Sequence, residues 1–153
     1  MESKINCSVT VLPVHNGKVG FIRRKHTDTF GGLLVAPGGK IEPTDGELLD
    51  GVPYWSVENC AIREMMEETG VTLRKPQLSY FCSLTLPNGR VVISFYSILT
   101  NKQANQASKL EFISKEQIEQ RIDFAPGMKQ EALLLLQTLN HNFNIGVWID
   151  QET

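Results

Sequence analysis

Cysteine is scarce in this sequence, and its few residues are poorly spaced for cross-linking or metal binding. The 153 residues contain three cysteines, Cys7, Cys60 and Cys82, and no two of them form a CxxC pair. A small disulfide-stapled domain needs more cysteines, and a structural zinc site needs closely spaced ligands. The pattern therefore argues against both and favours a reducing compartment, with the cytoplasm as the expected location.

An excess of charge of either sign is also absent. The chain has 15 Lys and Arg against 17 Asp and Glu, which gives a formal net charge of −2. Binding to a nucleic-acid polymer usually requires a strongly basic face, so no such partner is expected. A phosphorylated small molecule remains compatible with this charge, because a few local cations are enough to bind it.

Long apolar runs are missing as well. No segment approaches the roughly 20 apolar residues that span a bilayer, and the N-terminal stretch has no apolar signal-peptide core. The sequence therefore predicts no membrane partner.

What is present is an alternation of strand and helix signals. Asn16-Gly17 and Asn88-Gly89 each lie between apolar runs and predict tight hairpins. "GLLVA" (32–36) predicts a short buried strand. A helix is predicted from the N-cap Ser56 to the C-terminal stop Gly70. These signals predict a mixed α/β (α+β) arrangement with helices on a sheet.

The last third of the chain carries weaker signals of the same kind. Ser114 and Gln117 form a capping box, and a long helix is predicted after Pro126. The polar run 100–109 is predicted to be a solvated loop, and "FNIGVWI" (143–149) a closing strand. No linker or internal repeat interrupts the chain, so one domain over residues 1–153 is expected.

The helix around residue 64 concentrates acidic side chains on one face. Glu64, Glu67 and Glu68 are spaced i, i+3 and i+4, while an apolar arc for docking on the core lies roughly opposite. That arc comprises Ala61, Ile62, Met65 and Met66. Converging carboxylates suit a hard cation such as Mg²⁺, with Mn²⁺ as the alternative. The competing interpretation is a solvated helix face on which Arg63 pairs with Glu67.

A glycine-rich turn, Pro37-Gly38-Gly39, precedes this helix and allows close approach of the backbone. Together, "GGKIE" and "REMMEETGV" (63–71) resemble the Nudix box, and "FIRRKHTDTFGGLLVAPGGKIE" (21–42) resembles the corresponding stretch of its MutT-like branch. The resemblance implies a mixed β-sheet sandwiched between helices. It also implies a nucleotide pyrophosphohydrolase.

The first half of the box departs from the family pattern, which places a glutamate six residues after its glycine and eight before its arginine. Counting back from Arg63 lands on Trp55, and about ten extra residues lie within 43–56. Glu42 and Glu47 are the two candidates for the missing glutamate, whose role in the family is to orient the box arginine.

The resemblance also implies site roles. Glu64, Glu67, Glu68 and the Gly39 carbonyl would hold the metal, Glu64 or Glu67 would act as general base, and Arg63 would orient a carboxylate. The residues assigned to substrate binding are Arg23, Gly38, Lys40, Phe124 and Met128. Phe124 and Met128 would stack on or pack against the base, and the alternative for both is ordinary packing at the start of the last helix. Glu111 is either an additional acid or a surface residue at the end of a strand.

The implied substrate is a nucleoside diphosphate linked to another group. A nucleoside triphosphate, oxidised or not, cleaved to monophosphate and pyrophosphate is the first candidate. ADP-ribose or a dinucleotide remains open, because "FAPGMKQ" (124–130) lacks the asparagine with which MutT-like enzymes recognise the base. A non-catalytic nucleotide sensor of the same fold is the alternative function, and a homodimer is left open.

Overall fold

The computed structural model describes the backbone of residues 5–143. Its strands are β1 (Cys7–His15), β2 (Lys18–Arg23), β3 (Leu34–Val35), β4 (Gly38–Lys40), β5 (Gly46–Leu49), β6 (Val52–Trp55), β7 (Ser79–Thr85), β8 (Val91–Ile98) and β9 (Glu111–Ile113). Its α-helices are α1 (Val57–Thr69), α2 (Asn101–Gln106), α3 (Lys115–Gln120) and α4 (Met128–Phe143).

Strand β1 is the centre of a mixed sheet. The order along the sheet is β3-β2-β1-β8-β7, with β4 added to β1 and β9 added to β2. The β1–β8 pair is parallel, whereas β2, β4 and β9 pair antiparallel with their neighbours. Because β4 pairs with β1 through Val9 and Gly39, the glycine-rich turn is fixed to the middle of the sheet.

Two apolar cores cover the two faces of this sheet. Leu12 and Val14 of β1 belong to the cluster that includes Leu135 of α4. Val9 and Val11 belong to the cluster that includes Met65 of α1. Since β1 is buried on both faces, its sequence, CSVTVLPVH, is mostly apolar instead of alternating apolar with polar residues. The prediction of a mixed sheet between helices is confirmed.

Helix α1 begins and ends where the sequence predicts. The Ser56 hydroxyl accepts a hydrogen bond from the Asn59 N–H at 3.1 Å, and Gly70 adopts the left-handed conformation at φ 79°. Met65 is fully buried, but Met66 is 49% exposed, so its assignment to the docking arc was wrong. The apolar stripe is narrower than predicted, because Glu64 is buried on the sheet side of the helix.

Both predicted hairpins form. Asn16 and Gly17 have φ of 50° and 73° between β1 and β2, as a tight hairpin turn requires, and Gly89 has φ 85° between β7 and β8.

The sequence between the glycine-rich turn and α1 forms a projecting unit. Pro43–Asp45 is a 3₁₀ turn, and β5 and β6 form a separate two-stranded hairpin around Asp50-Gly51. The Ser56 N–H donates to the Asp45 carbonyl at 3.2 Å, so the chain leaves and returns at nearly the same point.

The segment 100–109 and the predicted closing strand lie in the last third of the chain. The segment 100–109 contains α2, capped by Thr100 and Gln103, rather than only a loop. Side chain–backbone capping thus gives a polar run a helix without an apolar stripe. The predicted closing strand lies outside the described residues, except for Phe143 at the end of α4. Within the described part of the chain, no helix combines the length and apolarity that crossing a membrane requires.

Candidate active site

The glycine-rich turn lies against α1, and both of its glycines are required by close contacts. A Cβ on Gly38 would overlap the Val9 carbonyl oxygen of β1. A Cβ on Gly39 would lie 2.5 Å from Cδ of Glu64. Gly38 therefore allows the turn to join the sheet, and Gly39 allows the Glu64 carboxylate to approach the turn.

Arg63 organises the acidic face of α1. Its guanidinium donates to Asp45 through Nε (2.8 Å) and Nη2 (3.0 Å), to the Lys40 carbonyl through Nη2 (3.0 Å) and to Glu64 through Nη1 (2.8 Å). Nη1 also lies 3.3 Å from Glu67. Hydrogen bonds to Asp45 and then Glu64 raise the pKa of Arg63 above its ordinary value. The positively charged Arg63 side chain thus links the glycine-rich turn to Glu64 and Glu67.

Asp45 is the residue that sequence reasoning missed. Its carboxylate is 2% exposed. Burial alone would raise the pKa of Asp45, but hydrogen bonds from Arg63 and from the Glu42 N–H, together with the Arg63 charge, lower it below its usual range. A buried, ionised aspartate bound by two nitrogens of one guanidinium is a rigid support for that arginine.

The two candidates proposed for this role make other contacts. Glu47 accepts from Asn59 Nδ2 at 3.1 Å and pairs with Lys75. Glu42 approaches Arg63 only at 3.8 Å and is more than half exposed. The assignment to Glu42 or Glu47 is therefore corrected to Asp45, which a count of six residues forward from Gly39 would have found.

The three acids differ in their surroundings. Glu64 is buried, Glu67 is exposed, and Glu68 is half-buried and accepts from the Gly38 N–H at 3.1 Å. The pKa of Glu68 is raised to about 7, first by burial and then by Glu64, which accepts a hydrogen bond from the protonated form. Glu64 and Glu68 are therefore adjacent carboxyls whose joint ionisation is unfavourable without a cation.

This donor set fits a hard divalent cation. Carboxylate oxygens are the ligands such ions prefer, and a bound cation would relieve the repulsion between Glu64 and Glu68. Among the described residues, no three His, Cys, Asp or Glu side chains are already arranged to hold a metal ion. Exposed Glu67 would therefore have to change its position to join the other two.

A scan against protein-family models matches residues 5–133 to the NUDIX domain. The chain belongs to the Nudix family. Over 105 residues it is 31% identical to the "Uncharacterized Nudix hydrolase YvcI" of Bacillus subtilis (strain 168), a match that covers 63% of this chain and spans 60% of that relative's length.

Solved structures are similar to the Nudix chain at lower identity. A Nudix hydrolase from Nitrosomonas europaea has a TM-score of 0.68 at 14% identity, covering 92% of this chain and 75% of the other. A MutT Nudix hydrolase from Burkholderia pseudomallei has a TM-score of 0.58 at 16% identity, covering 85% and 97%. At this identity the likeness shows the fold alone.

The family spacing explains the projecting hairpin. Asp45 lies six residues after Gly39 but precedes Arg63 by 18 positions instead of eight. The ten additional residues are 46–55, the hairpin of β5 and β6. Because the hairpin is closed at its base, it lengthens the Nudix box without separating Asp45 from Arg63.

The two neighbouring arginines at the end of β2, Arg23 and Arg24, point to different places, as strand alternation predicts. Arg23 donates to the Gly32 carbonyl at 2.8 Å and to Asp123 at 3.0 Å, away from the acids of the box. The positive charge of Arg24 lowers the pKa of Glu68, so Arg24 is the one on the side of the acids. Of its side-chain donors, only Nε is engaged within the described residues, with the Thr29 carbonyl at 3.3 Å.

The two apolar side chains assigned to substrate binding, Phe124 and Met128, lie mostly in the core. Phe124 is buried and packs edge-to-face on Phe21, with ring centroids 4.9 Å apart. Met128 is half-buried, and its sulfur accepts from the Ala36 N–H at 3.4 Å. Phe124 has almost no surface left for stacking on a base, which corrects its assignment as a substrate contact.

Three other residues with assigned roles are Lys40, Gly39 and Glu111. The Lys40 side chain is exposed beside the glycine-rich turn. The Gly39 carbonyl accepts from the thiol of buried Cys60 at 3.8 Å, and burial raises the pKa of that thiol to about 12. Glu111 pairs with Arg121 and Arg23 and with no box residue among those described. Its second interpretation, a residue at the end of a strand, agrees with this position.

Proposed function

We propose that this Nudix protein is a Mg²⁺-dependent pyrophosphohydrolase, with Mn²⁺ as an alternative cofactor. Its substrate would be a nucleoside diphosphate linked to another group, and a nucleoside triphosphate cleaved to monophosphate and pyrophosphate is the first candidate. The observation that carries the proposal is the Glu64–Glu68 carboxyl pair beside the Gly38-Gly39 turn, in which Arg63 holds Glu64 and the Gly38 N–H holds Glu68.

Each residue of the site has a task in such a reaction. Glu64, Glu67, Glu68 and the Gly39 carbonyl would hold the cation, which when bound supplies electrophilic assistance at the phosphate oxygens. Glu67 or Glu64 would accept the proton of the attacking water. Arg63 would hold and orient the Glu64 carboxylate, because Asp45 fixes the guanidinium from the other side.

Phosphate binding is assigned to Arg24 and Lys40 at the edge of the acids. The two terminal nitrogens of the Arg24 guanidinium, which bind no other residue that the structure describes, form a planar fork suited to phosphate oxygens. Arg23 is less suited, because its donors are already engaged by Gly32 and Asp123. ADP-ribose and dinucleotides share the same diphosphate and remain alternative substrates.

The altered first half of the Nudix box favours the alternative of a non-catalytic sensor. Asp45 weakens that motivation, since it gives Arg63 the carboxylate partner that the box otherwise takes from a glutamate. No change in the acids themselves favours the sensor.

A substrate screen tests the proposal. The protein is incubated with nucleoside triphosphates, ADP-ribose and dinucleotides in Mg²⁺, in Mn²⁺ and in chelator, and the products are identified by mass spectrometry. We expect a monophosphate product that disappears with chelator and falls roughly 10²–10⁴-fold in Glu67→Gln. Glu58→Gln removes the same charge from the first turn of α1 and is the control. Tight nucleotide binding without turnover across the screen would instead support the sensor.

A further inference from the structure

The loop between β2 and β3 presents an aromatic side chain that the proposed reaction does not yet use. Phe30 is 50% exposed and belongs to neither of the two apolar cores. Within the described chain, its ring pairs with no other aromatic ring. Since a phenyl ring has a large apolar face and little of it is used for packing here, this face is available to a ligand.

The backbone at Phe30 lies in the left-handed region, with φ 59°. This conformation is uncommon for residues other than glycine and is a genuine outlier for a bulky side chain. Glycine adopts it without strain, and glycines occupy the next two positions, Gly31 and Gly32. The loop thus holds a phenyl ring where backbone conformation alone would favour glycine. Backbone strain of this kind concentrates at ligand-binding and active sites.

The rest of the loop holds Phe30 in this conformation. The Arg24 N–H donates to the Leu33 carbonyl at 2.9 Å, which closes the base of the loop. The Leu33 N–H donates to the Phe30 carbonyl at 3.1 Å. Inside the loop, Gly31 packs so closely on His26 that a Cβ would lie 2.5 Å from the His26 carbonyl oxygen. Because these contacts already fix the loop, less conformational entropy is lost when a ligand binds to Phe30.

Arg24 connects the position of Phe30 to the acids of the Nudix box. Its Nε donates to the Thr29 carbonyl at 3.3 Å, and that carbonyl belongs to the peptide bond between Thr29 and Phe30. The charge of Arg24 also acts on Glu68, so its guanidinium lies on the side of the acids. The exposed ring therefore follows directly in the chain after the peptide group that holds the guanidinium assigned to phosphate binding.

We propose that Phe30 is a base-stacking residue, whose ring binds the face of the nucleobase while Arg24 binds the phosphates. The inference rests on the proposed function, because it requires a nucleotide at the Glu64–Glu68 pair. Every base has a π face, so stacking tolerates differences between bases. The ligand class is therefore nucleotides with any base, in preference to polyphosphates that have none. The ring of Phe124 is buried in the core and leaves this role to another aromatic residue.

Calorimetric titration with two probes in Mg²⁺ tests the inference. One probe is a nucleoside triphosphate with a methylene group between its α- and β-phosphorus atoms, which resists hydrolysis there, and the other is tripolyphosphate, which has no base. Phe30→Ala and Phe30→Gly should each weaken nucleotide binding about 5- to 100-fold, the range for one lost stacking contact, and leave tripolyphosphate binding unchanged. Phe30→Tyr should retain wild-type affinity. Tyr80→Ala is the matched control, because it removes an exposed aromatic ring from β7, at the opposite edge of the sheet.

Thermal melts of the same variants separate binding from stability. Phe30→Gly should not lower the melting temperature, because glycine adopts a positive φ without strain, so its loss of nucleotide affinity cannot come from a damaged loop. Unchanged nucleotide affinity in Phe30→Ala and Phe30→Gly overturns the inference and leaves the proposed hydrolase intact. An equal loss for both probes also overturns it, since the ring would then act on the phosphate site. A wild type that binds neither probe overturns the proposed function and the stacking role together.

Discussion

Asp45 and Arg63 are joined by two parallel hydrogen bonds, 2.8 Å from Nε to Oδ1 and 3.0 Å from Nη2 to Oδ2. The pair joins the end of the glycine-rich segment to the middle of α1 across a ten-residue hairpin. Because the same guanidinium also contacts Glu64 and Glu67, the position of two of the three acids depends on a residue outside the helix.

Asp45→Asn should therefore be costly. The substitution keeps the size of the side chain but leaves Arg63 without its buried anionic partner. We expect the free energy of unfolding, measured in urea, to fall by about 3 kcal/mol, with loss of metal-dependent turnover. Glu47→Gln is the control and should cost no more than about 1 kcal/mol, because Glu47 is part-exposed. Equal effects of the two substitutions would contradict the assignment.

Glu68→Gln should stabilise the metal-free protein. It removes the carboxyl that lies beside Glu64 in a partly buried position while keeping an acceptor for the Gly38 N–H. In chelator we expect the melting temperature to rise by about 2–4 °C, since about 1 kcal/mol has that effect in a domain of this size.

The same variant should lose its response to Mg²⁺. Wild type gains stability from a cation that binds only the folded state, whereas Glu68→Gln offers one ligand fewer. Differential scanning fluorimetry with and without Mg²⁺ measures both effects, and Glu58→Gln serves as the charge-matched control on the same helix. A destabilised Glu68→Gln with an unchanged Mg²⁺ response would contradict the role of the carboxyl pair.

The two glycines of the turn should behave differently when each is replaced by alanine. Gly38→Ala pushes the turn away from the Val9 carbonyl and should lower the free energy of unfolding by about 1–3 kcal/mol. Gly39→Ala meets the Glu64 side chain, which can move, so we expect a smaller loss of stability with a larger loss of turnover. Urea denaturation and kcat/KM separate the two, and the reverse ranking would count against this reading of the turn.

The acidic helix was the most predictable part of the molecule. The N-cap Ser56 and the C-terminal Gly70 of this helix are local signals. The helical period places Glu64, Glu67 and Glu68 on one face. The exposure of Met66 was not predicted, because the width of the docked face depends on how α1 lies against the sheet. Periodicity along one element does not contain that information.

The Asp45–Arg63 pair and the orientations of Arg23 and Arg24 were not predicted, for a different reason. Counting back from Arg63 crosses the hairpin 46–55. The family spacing reveals about ten extra residues but not their exact boundaries, whereas counting forward from Gly39 reaches Asp45 directly. Strand alternation predicts that only one of Arg23 and Arg24 faces the acids, but not which one. That choice depends on Asp123, which is 100 residues away along the chain and binds Arg23.

Acid should weaken the protein through Asp123. Hydrogen bonding to Arg121 lowers the pKa of Asp123 well below its ordinary value, against burial and with help from Arg23. A lowered folded-state pKa contributes stability above the unfolded value of about 3.9, and this stability is lost as pH falls further. At neutral pH the free energy of unfolding of wild type should exceed that of Asp123→Asn by about 1 kcal/mol.

That difference should narrow below about pH 4, because Asp123 takes up a proton in the unfolded chain there while its ion pairs keep it ionised in the folded protein. Urea titrations of both proteins between pH 7 and pH 3, in chelator, give the two curves. A difference that stays constant over this range would show that the ion pairs with Arg121 and Arg23 are not what Asp123 contributes.

Arg23 and Arg24 provide the sharpest contrast between stability and binding. Arg23 joins the Gly32 carbonyl to Asp123, so Arg23→Ala should lower the melting temperature with little change in nucleotide affinity. The terminal guanidinium nitrogens of Arg24 bind no other described residue, and its charge acts on Glu68. Arg24→Ala should therefore weaken binding of a nucleoside diphosphate about 10- to 100-fold, as expected for lost hydrogen bonds to a charged group. Arg24→Lys should recover only part of this loss, because an ammonium cannot bind two phosphate oxygens as a planar fork does.

Calorimetric titration with a nucleoside diphosphate in Mg²⁺, paired with thermal melts, measures affinity and stability of the Arg23 and Arg24 variants on the same samples. If Arg23→Ala loses affinity and Arg24→Ala loses only stability, the phosphate contact returns to Arg23, and its ion pair with Asp123 must open when the ligand binds.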